Sequence, residues 1–160
     1  MMKSIDMHPI PMQGWTRRHL LGAGAGLAGS LWLRTSYAAT GDLAAAIANF
    51  AGNAPVRSGR VTLDVAPLVE NGNTVPITVA VQSPMTDADH VSAIAVFNEK
   101  NPQRDVAVFR IGARAGRATV ATRIRLATSQ QLVAVAQMSD GSYWSHAVDV
   151  IVTLAACVES

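Results

Sequence analysis

Gln131-Leu132-Val133-Ala134-Val135-Ala136-Gln137-Met138 and Tyr143-Trp144-Ser145-His146-Ala147-Val148-Asp149-Val150-Ile151-Val152-Thr153-Leu154 are two valine-rich runs with Asp140-Gly141 between them. Side chains branched at Cβ lose rotamer freedom in a helix but pack well on a pleated surface, so such runs read as strands. Asp-Gly between them supplies turn chemistry. Working outward, the same reading holds for residues 61–65, 75–82, 91–97, 105–111 and 118–126, with Glu70-Asn71-Gly72-Asn73, Ser83-Pro84 and Lys100-Asn101-Pro102 as separators. In Thr122-Arg123-Ile124-Arg125-Leu126 the arginines fall on one face and Ile124 and Leu126 on the other, the period-2 mark of a half-buried strand. Seven short strands at this spacing predict an all-β fold, an immunoglobulin-like antiparallel β-sandwich. The Cys-Trp-Cys core of antibody domains is absent, so pattern alone carries the expectation.

Ahead of the strands, residues 41–50 place Leu43, Ile47 and Phe50 at helical spacing with Asp42 near the N-cap, predicting one short N-terminal helix that ends at Gly52-Asn53-Ala54-Pro55. The composition agrees: 160 residues, 49% hydrophobic and only 15% charged, suffice to fill one core. Aromatic residues are scarce, at 5%, while Val, Ala, Thr and Ile abound, which favours strands over a helical bundle.

The first forty residues have a different logic. Thr16-Arg17-Arg18-His19-Leu20-Leu21 presents two adjacent arginines, a Gly/Ala-rich apolar run follows to Leu33, and Ser36-Tyr37-Ala38 puts small residues at cleavage-site positions. This order predicts a twin-arginine signal peptide over residues 1–38, cleaved after Ala38, and export to the periplasm. The apolar run, roughly fourteen residues, falls short of the roughly twenty needed to span a bilayer, so no stable membrane insertion is expected. Gly24-Ala25-Gly26-Leu27-Ala28-Gly29 matches G-x-G-x-x-G, yet no strand precedes it and a cleaved segment holds no cofactor; no cofactor is expected. Four of the thirteen basic residues and one of the eleven acidic ones leave with the signal. Nine then face ten, a net charge of −1, which gives a nucleic-acid role no electrostatic footing.

Cys157 is the only cysteine. In an oxidising compartment it has no internal partner, so it is buried, pairs between chains or is a reactive thiol. It lies three positions past the last strand and four residues from the end if the chain is counted inclusively, where backbone is usually exposed. Other chemistry is poorly supplied. His90 and His146 are far apart in sequence, with no H-E-x-x-H, C-x-x-C or G-x-S-x-G in the chain. Asp87, Asp89, Glu99 and Asp105 fall in or beside loops, the ordinary place for solvated charge. Cys157-Val158-Glu159-Ser160 fits C-a-a-X in form, but Glu159 occupies an aliphatic position.

The double-arginine leader, the strand pattern and the terminal cysteine together resemble the SoxY family of sulfur-oxidising systems. The resemblance spans residues 44–157, carried by Val69-Glu70-Asn71-Gly72-Asn73-Thr74-Val75-Pro76, Thr122-Arg123-Ile124-Arg125-Leu126-Ala127, Val133-Ala134-Val135-Ala136-Gln137-Met138-Ser139-Asp140-Gly141-Ser142, and Val148-Asp149-Val150-Ile151-Val152-Thr153-Leu154 leading into Cys157. It implies a carrier and not an enzyme. A β-sandwich over residues 39–154 would bear a C-terminal carrier tail, 155–160, with sulfur attached covalently at Cys157 as a thiosulfonate or persulfide. It also implies a heterodimer with a SoxZ-like subunit and transient visits to a c-type cytochrome and sulfur-processing enzymes. The family's tail is typically Gly-Gly-Cys-Gly-Gly, whereas here Ala155 and Ala156 precede the cysteine and Val158, Glu159 and Ser160 follow it. Two alternatives accompany this reading: a non-carrier binding or assembly subunit, and a metal-binding sandwich using His90, His146, Met85 and Met138.

Overall fold

A computed structural model describes residues 38–154 of the chain. The expected signal segment, all but its last residue, and the expected tail, residues 155–160, lie outside the described residues.

Helix α1, Ala38–Ala51, is followed by β1 (Val56–Ser58), β2 (Val61–Asp64), β3 (Leu68–Asn71), β4 (Val75–Val81), β5 (Val91–Asn98), β6 (Asp105–Arg110), a 3-10 turn (Ala113–Ala115), β7 (Ala118–Ile124), β8 (Gln130–Met138) and β9 (Tyr143–Leu154). The sandwich is as expected, and all seven runs read from the sequence are strands, shifted by at most two residues at their ends. The larger sheet runs β1-β9-β8-β5-β6, with β3 also on β9; the smaller runs β2-β4-β7.

Nine strands are described where seven were expected. The additional two, β1 and β3, pair with β9 in parallel, Val56↔Tyr143 to Ser58↔Ser145 and Leu68↔Ile151 to Asn71↔Leu154, so the sandwich is antiparallel except along this strand. Each is too short to show a period: β1 has no buried residue and β3 only Val69. Their pairing is specified by what β9 offers, not by their own pattern.

Burial follows the layers. In β4 and β7 buried positions alternate with more exposed ones, because no described element covers the outer face of the small sheet. In β5 and β8 nearly every residue is buried, because the large sheet is covered twice. One face packs on the small sheet, through Ile94, Val96, Leu132, Ala134 and Ala136 against Val75, Ile77 and Val79. On the other face lies α1, whose Leu43, Ile47, Phe50 and Ala51 join Ala95, Phe97, Val133, Val135 and Tyr143. Phe50 meets both Phe97 and Tyr143 edge to face, each at 5.9 Å between centroids.

α1 already includes Ala38, so Asp42 is no cap: it lies inside the helix and its carboxylate reaches Arg104 at 3.3 Å. The helix does end where Gly52-Asn53 stands. Both adopt positive φ, and Asn53 N–H donates to Ala48 O at 2.9 Å while Gly52 N–H donates to Asn49 O, the hydrogen bonds of a Schellman close.

Candidate functional site

β9 is the longest strand, twelve residues, and its two halves are held by different partners. Up to Val150 it is laddered to β8, from Gln137↔Tyr143 to Gln130↔Val150, with β1 on the opposite edge at the start. Past Val150 the β8 ladder has run out. The sequence compensates with Ser129, whose hydroxyl accepts the Val152 N–H at 2.9 Å and sits 3.4 Å from Val152 O. On the other edge β3 takes over: Ile151 N–H donates to Pro67 O and Gly72 N–H to Leu154 O, both at 2.9 Å, and Thr153 Oγ1 donates to Glu70 O at 3.3 Å. The chain is therefore fixed through Leu154, three residues before Cys157.

The loops around this strand end are stapled to one another. Asn101 Oδ1 accepts from Ala127 N at 3.0 Å and from Gln130 Nε2 at 2.7 Å, and Asn101 Nδ2 donates to Arg125 O at 2.8 Å. Gln130 Oε1 accepts the Lys100 N–H at 2.8 Å, and Leu126 N–H donates to Gly72 O at 2.8 Å. Asn98 and Gln130, the buried polar residues among those described, both belong to this set. Their amides are satisfied across two loops, so they lock loop positions instead of offering a ligand site. Leu68, Ile151 and Leu154 surround the strand end with exposed apolar side chains, at 56%, 58% and 68%.

Cys157 and its flanks Ala155, Ala156 and Val158 lie outside the described residues. The structure fixes where the segment bearing them starts. Sequence reasoning missed the parts that hold this start, β3 and Ser129. The one available signal was Asn71-Gly72-Asn73, a turn whose Asn71 Oδ1 accepts Asn73 N–H at 2.9 Å; the strand ahead of it carries no pattern, and a lone serine in a loop carries none either.

The residues considered for a metal are not brought together as a site. His146 pairs with Ala134 on β8, and its Nδ1 accepts the Leu63 N–H at 2.9 Å, which commits that nitrogen to the backbone. His90 precedes β5 beside Ser139, with Nδ1 3.1 Å from Thr86 O. Val91, next to it, pairs with Met138, four residues along β8 from Ala134, which is about 13 Å of strand. Met85 and Met138 are buried in the core. Among the described residues no three of His, Cys, Asp and Glu gather as a ligand set. Of the loop carboxylates, Glu99 accepts the Gln131 N–H at 3.2 Å, a structural use. Asp140 lies in the β8–β9 turn, where the Ser142 hydroxyl and then its N–H, at 2.8 Å, hold the carboxyl below its ordinary range.

A family model described as sulfur oxidation protein SoxY matches residues 47–157. The sulfur carrier protein SoxY from Chlorobium limicola f thiosulfatophilum is similar in structure, with a TM-score of 0.61 and 29% identity over 72% of this chain and 99% of that one. A superoxide reductase (neelaredoxin) from Ignicoccus hospitalis matches with a TM-score of 0.54 at 13% identity, over 61% of this chain and 94% of that one. A superoxide reductase from Nanoarchaeum equitans matches at 0.52 and 12%, over 60% and 100%. At these identities the two reductases share the fold alone. A comparison with curated proteins gave no match.

Proposed function

Because the chain belongs to the SoxY family, we propose that it is a covalent sulfur carrier of a periplasmic sulfur-oxidation system, with the substrate held on Cys157. The observation that carries this reading is where the family match stops. It runs past the last described strand residue, Leu154, to residue 157, which is the chain's single cysteine.

The anchoring of β9 supports a carrier and not an enzyme. Clamped by β3 and Ser129 through Leu154, the strand gives the tail a fixed origin, and Ala155 to Cys157 extend at most about 10 Å beyond it. A thiol on such an arm can be offered to one active site after another. The chemistry needs no group from the sandwich. A Cys157 thiolate and thiosulfate lose two electrons to a c-type cytochrome as a sulfur–sulfur bond forms between them. Water then attacks the sulfonate sulfur, sulfate departs with that sulfur, and the persulfide remains on Cys157.

Proteins of this family work with SoxZ, and a heterodimer with a SoxZ-like subunit belongs to the proposal, as do residues 1–38 as a twin-arginine leader. No described helix is long and apolar enough to cross a membrane. One observation favours a second reading, a non-carrier assembly subunit: alanine and valine stand at 155, 156 and 158 where the family's tail has glycine.

The test is loading of the purified protein, wild type against Cys157→Ser, by a thiosulfate-conjugating cytochrome with thiosulfate, read by intact mass. The carrier reading expects a thiosulfonate adduct on the wild type and none on the variant. An unmodified wild type, with alkylation of Cys157 leaving pathway activity unchanged, would favour the assembly subunit.

A further inference from the structure

Six of the chain's thirteen basic residues lie between positions 104 and 125, against one acid, Asp105. The fold gathers this stretch on one side of the sandwich. β6 ends the large sheet, β7 ends the small one, and the 3-10 turn joins them, so the two free edges stand side by side. Among the described residues no strand pairs with the outer edge of either. Along each strand every other residue points its N–H and C=O away from the paired neighbour, so about half of the six residues of β6 and of the seven of β7 turn unpaired backbone groups outward.

Between the edges opens a cleft of about 670 Å³ lined by Val108, Phe109, Arg110, Ile111, Arg117 and Val120. Its lining mixes apolar side chains with arginines, and Val108 is 48% exposed. Arg110 and Arg117 line the cleft and Arg114 stands on the 3-10 turn beside it, all three exposed. None of these three has a carboxylate partner among the described residues, where the one ion pair is Arg104–Asp42.

These features select an occupant. Asn98 and Gln130, the buried polar residues described, lie elsewhere, so the cleft has no desolvated polar group to orient a small molecule. Two free edges beside exposed apolar side chains suit an extended polypeptide, which gains main-chain hydrogen bonds from an edge and buries alternate side chains. Unpaired arginines on the rim favour acidic residues at its outward positions. A second copy of this chain would bring its own arginines against them, and like charges brought together oppose that pairing.

We infer that the β6–β7 cleft docks an extended acidic strand of a partner protein, and that its arginine rim bars a second copy of this chain from the same edge. This rests on the fold and its charges alone, so it stands or falls separately from sulfur loading.

The test uses Arg110→Glu/Arg114→Glu/Arg117→Glu, the three positions all exposed and its fold checked by circular dichroism, as an acidic-edged probe for the wild-type protein. Mixing the two at low salt should produce a complex by sedimentation velocity and slow amide exchange in β6 and β7 of the wild type. Raising the salt to about 0.3 M, where screening shortens the reach of surface charge, should weaken the complex about tenfold. A peptide of alternating Glu and Val is a second probe that needs no folded variant, and it should protect the same amides where its Lys-Val counterpart does not. No association on mixing, protection outside β6 and β7, equal protection by both peptides, or the same protection in wild type alone would each overturn the inference.

Discussion

On one side of the sandwich β9 is walled by β1 and β3, short strands that pair with it in parallel, while on the other side β6 and β7 end their sheets with no further strand among the described residues. On the first side the outer edge of β9 is paired within the chain at both of its ends. On the second the outer edges remain available. The walled side fixes the chain up to Leu154, just ahead of Cys157; the open side keeps hydrogen-bonding capacity for another polypeptide. One fold thus separates a rigid origin for the tail from a surface fit for docking.

The same substitution on each side should sharpen this contrast. Val150 in β9 is 2% exposed, whereas Val120 in β7 is only partly buried and touches the open cleft. Val150→Ala should lower stability by about 2 kcal/mol through lost contacts and a residual cavity. Val120→Ala should cost about 0.5 kcal/mol, because solvent reaches its site. Urea unfolding measures both, and equal losses would mean that the open side is packed as firmly as the walled one.

Ser129 tests the wall directly. Ser129→Ala leaves the partly buried Val152 N–H without an acceptor and should cost about 1 kcal/mol. Amide exchange at Val152 and Leu154 should quicken while β5 and β8 keep their protection, and Ser129→Thr, which retains the hydroxyl, should restore the slow rates. Unchanged exchange at Val152 would show that β3 holds this end without Ser129.

The smallest effect belongs to the turn into β9. The Asp140 carboxyl is held below its ordinary value of 3.8 by Ser142, so its contribution is complete above the unfolded-state pKa and is lost as pH falls through the lower folded one. Asp140→Asn should therefore narrow the difference between urea midpoints at neutral pH and in acid. An identical pH dependence in the variant would remove Asp140 from the account.

The strands that build the core were legible because each shows its own pattern: alternation at Thr122–Leu126, continuous apolar residues in β5 and β8. Those continuous runs match the burial on both faces that α1 and the small sheet supply. β1 and β3 were not legible, since three or four residues with at most one buried carry no period, and their place is set by β9. The start of α1 was misplaced because Gly41 reads as a boundary, while the helix continues upstream through Ala38. For the site, the cysteine and its nearness to the last strand could be read directly. The clamp could not, because it joins residues distant in sequence, Ser129 to Val152 and Gly72 to Leu154. The arginine run was visible too, but only strand order reveals that it borders two free edges.

The most direct test of the carrier account is the intact mass of the protein recovered from cells oxidising thiosulfate. The account predicts a population made heavier by bound sulfur, returned to the unmodified mass by a thiol reductant, with the added mass on the peptide that contains Cys157. A single unmodified mass, under conditions in which a glycine-tailed carrier of the family is loaded, would contradict it.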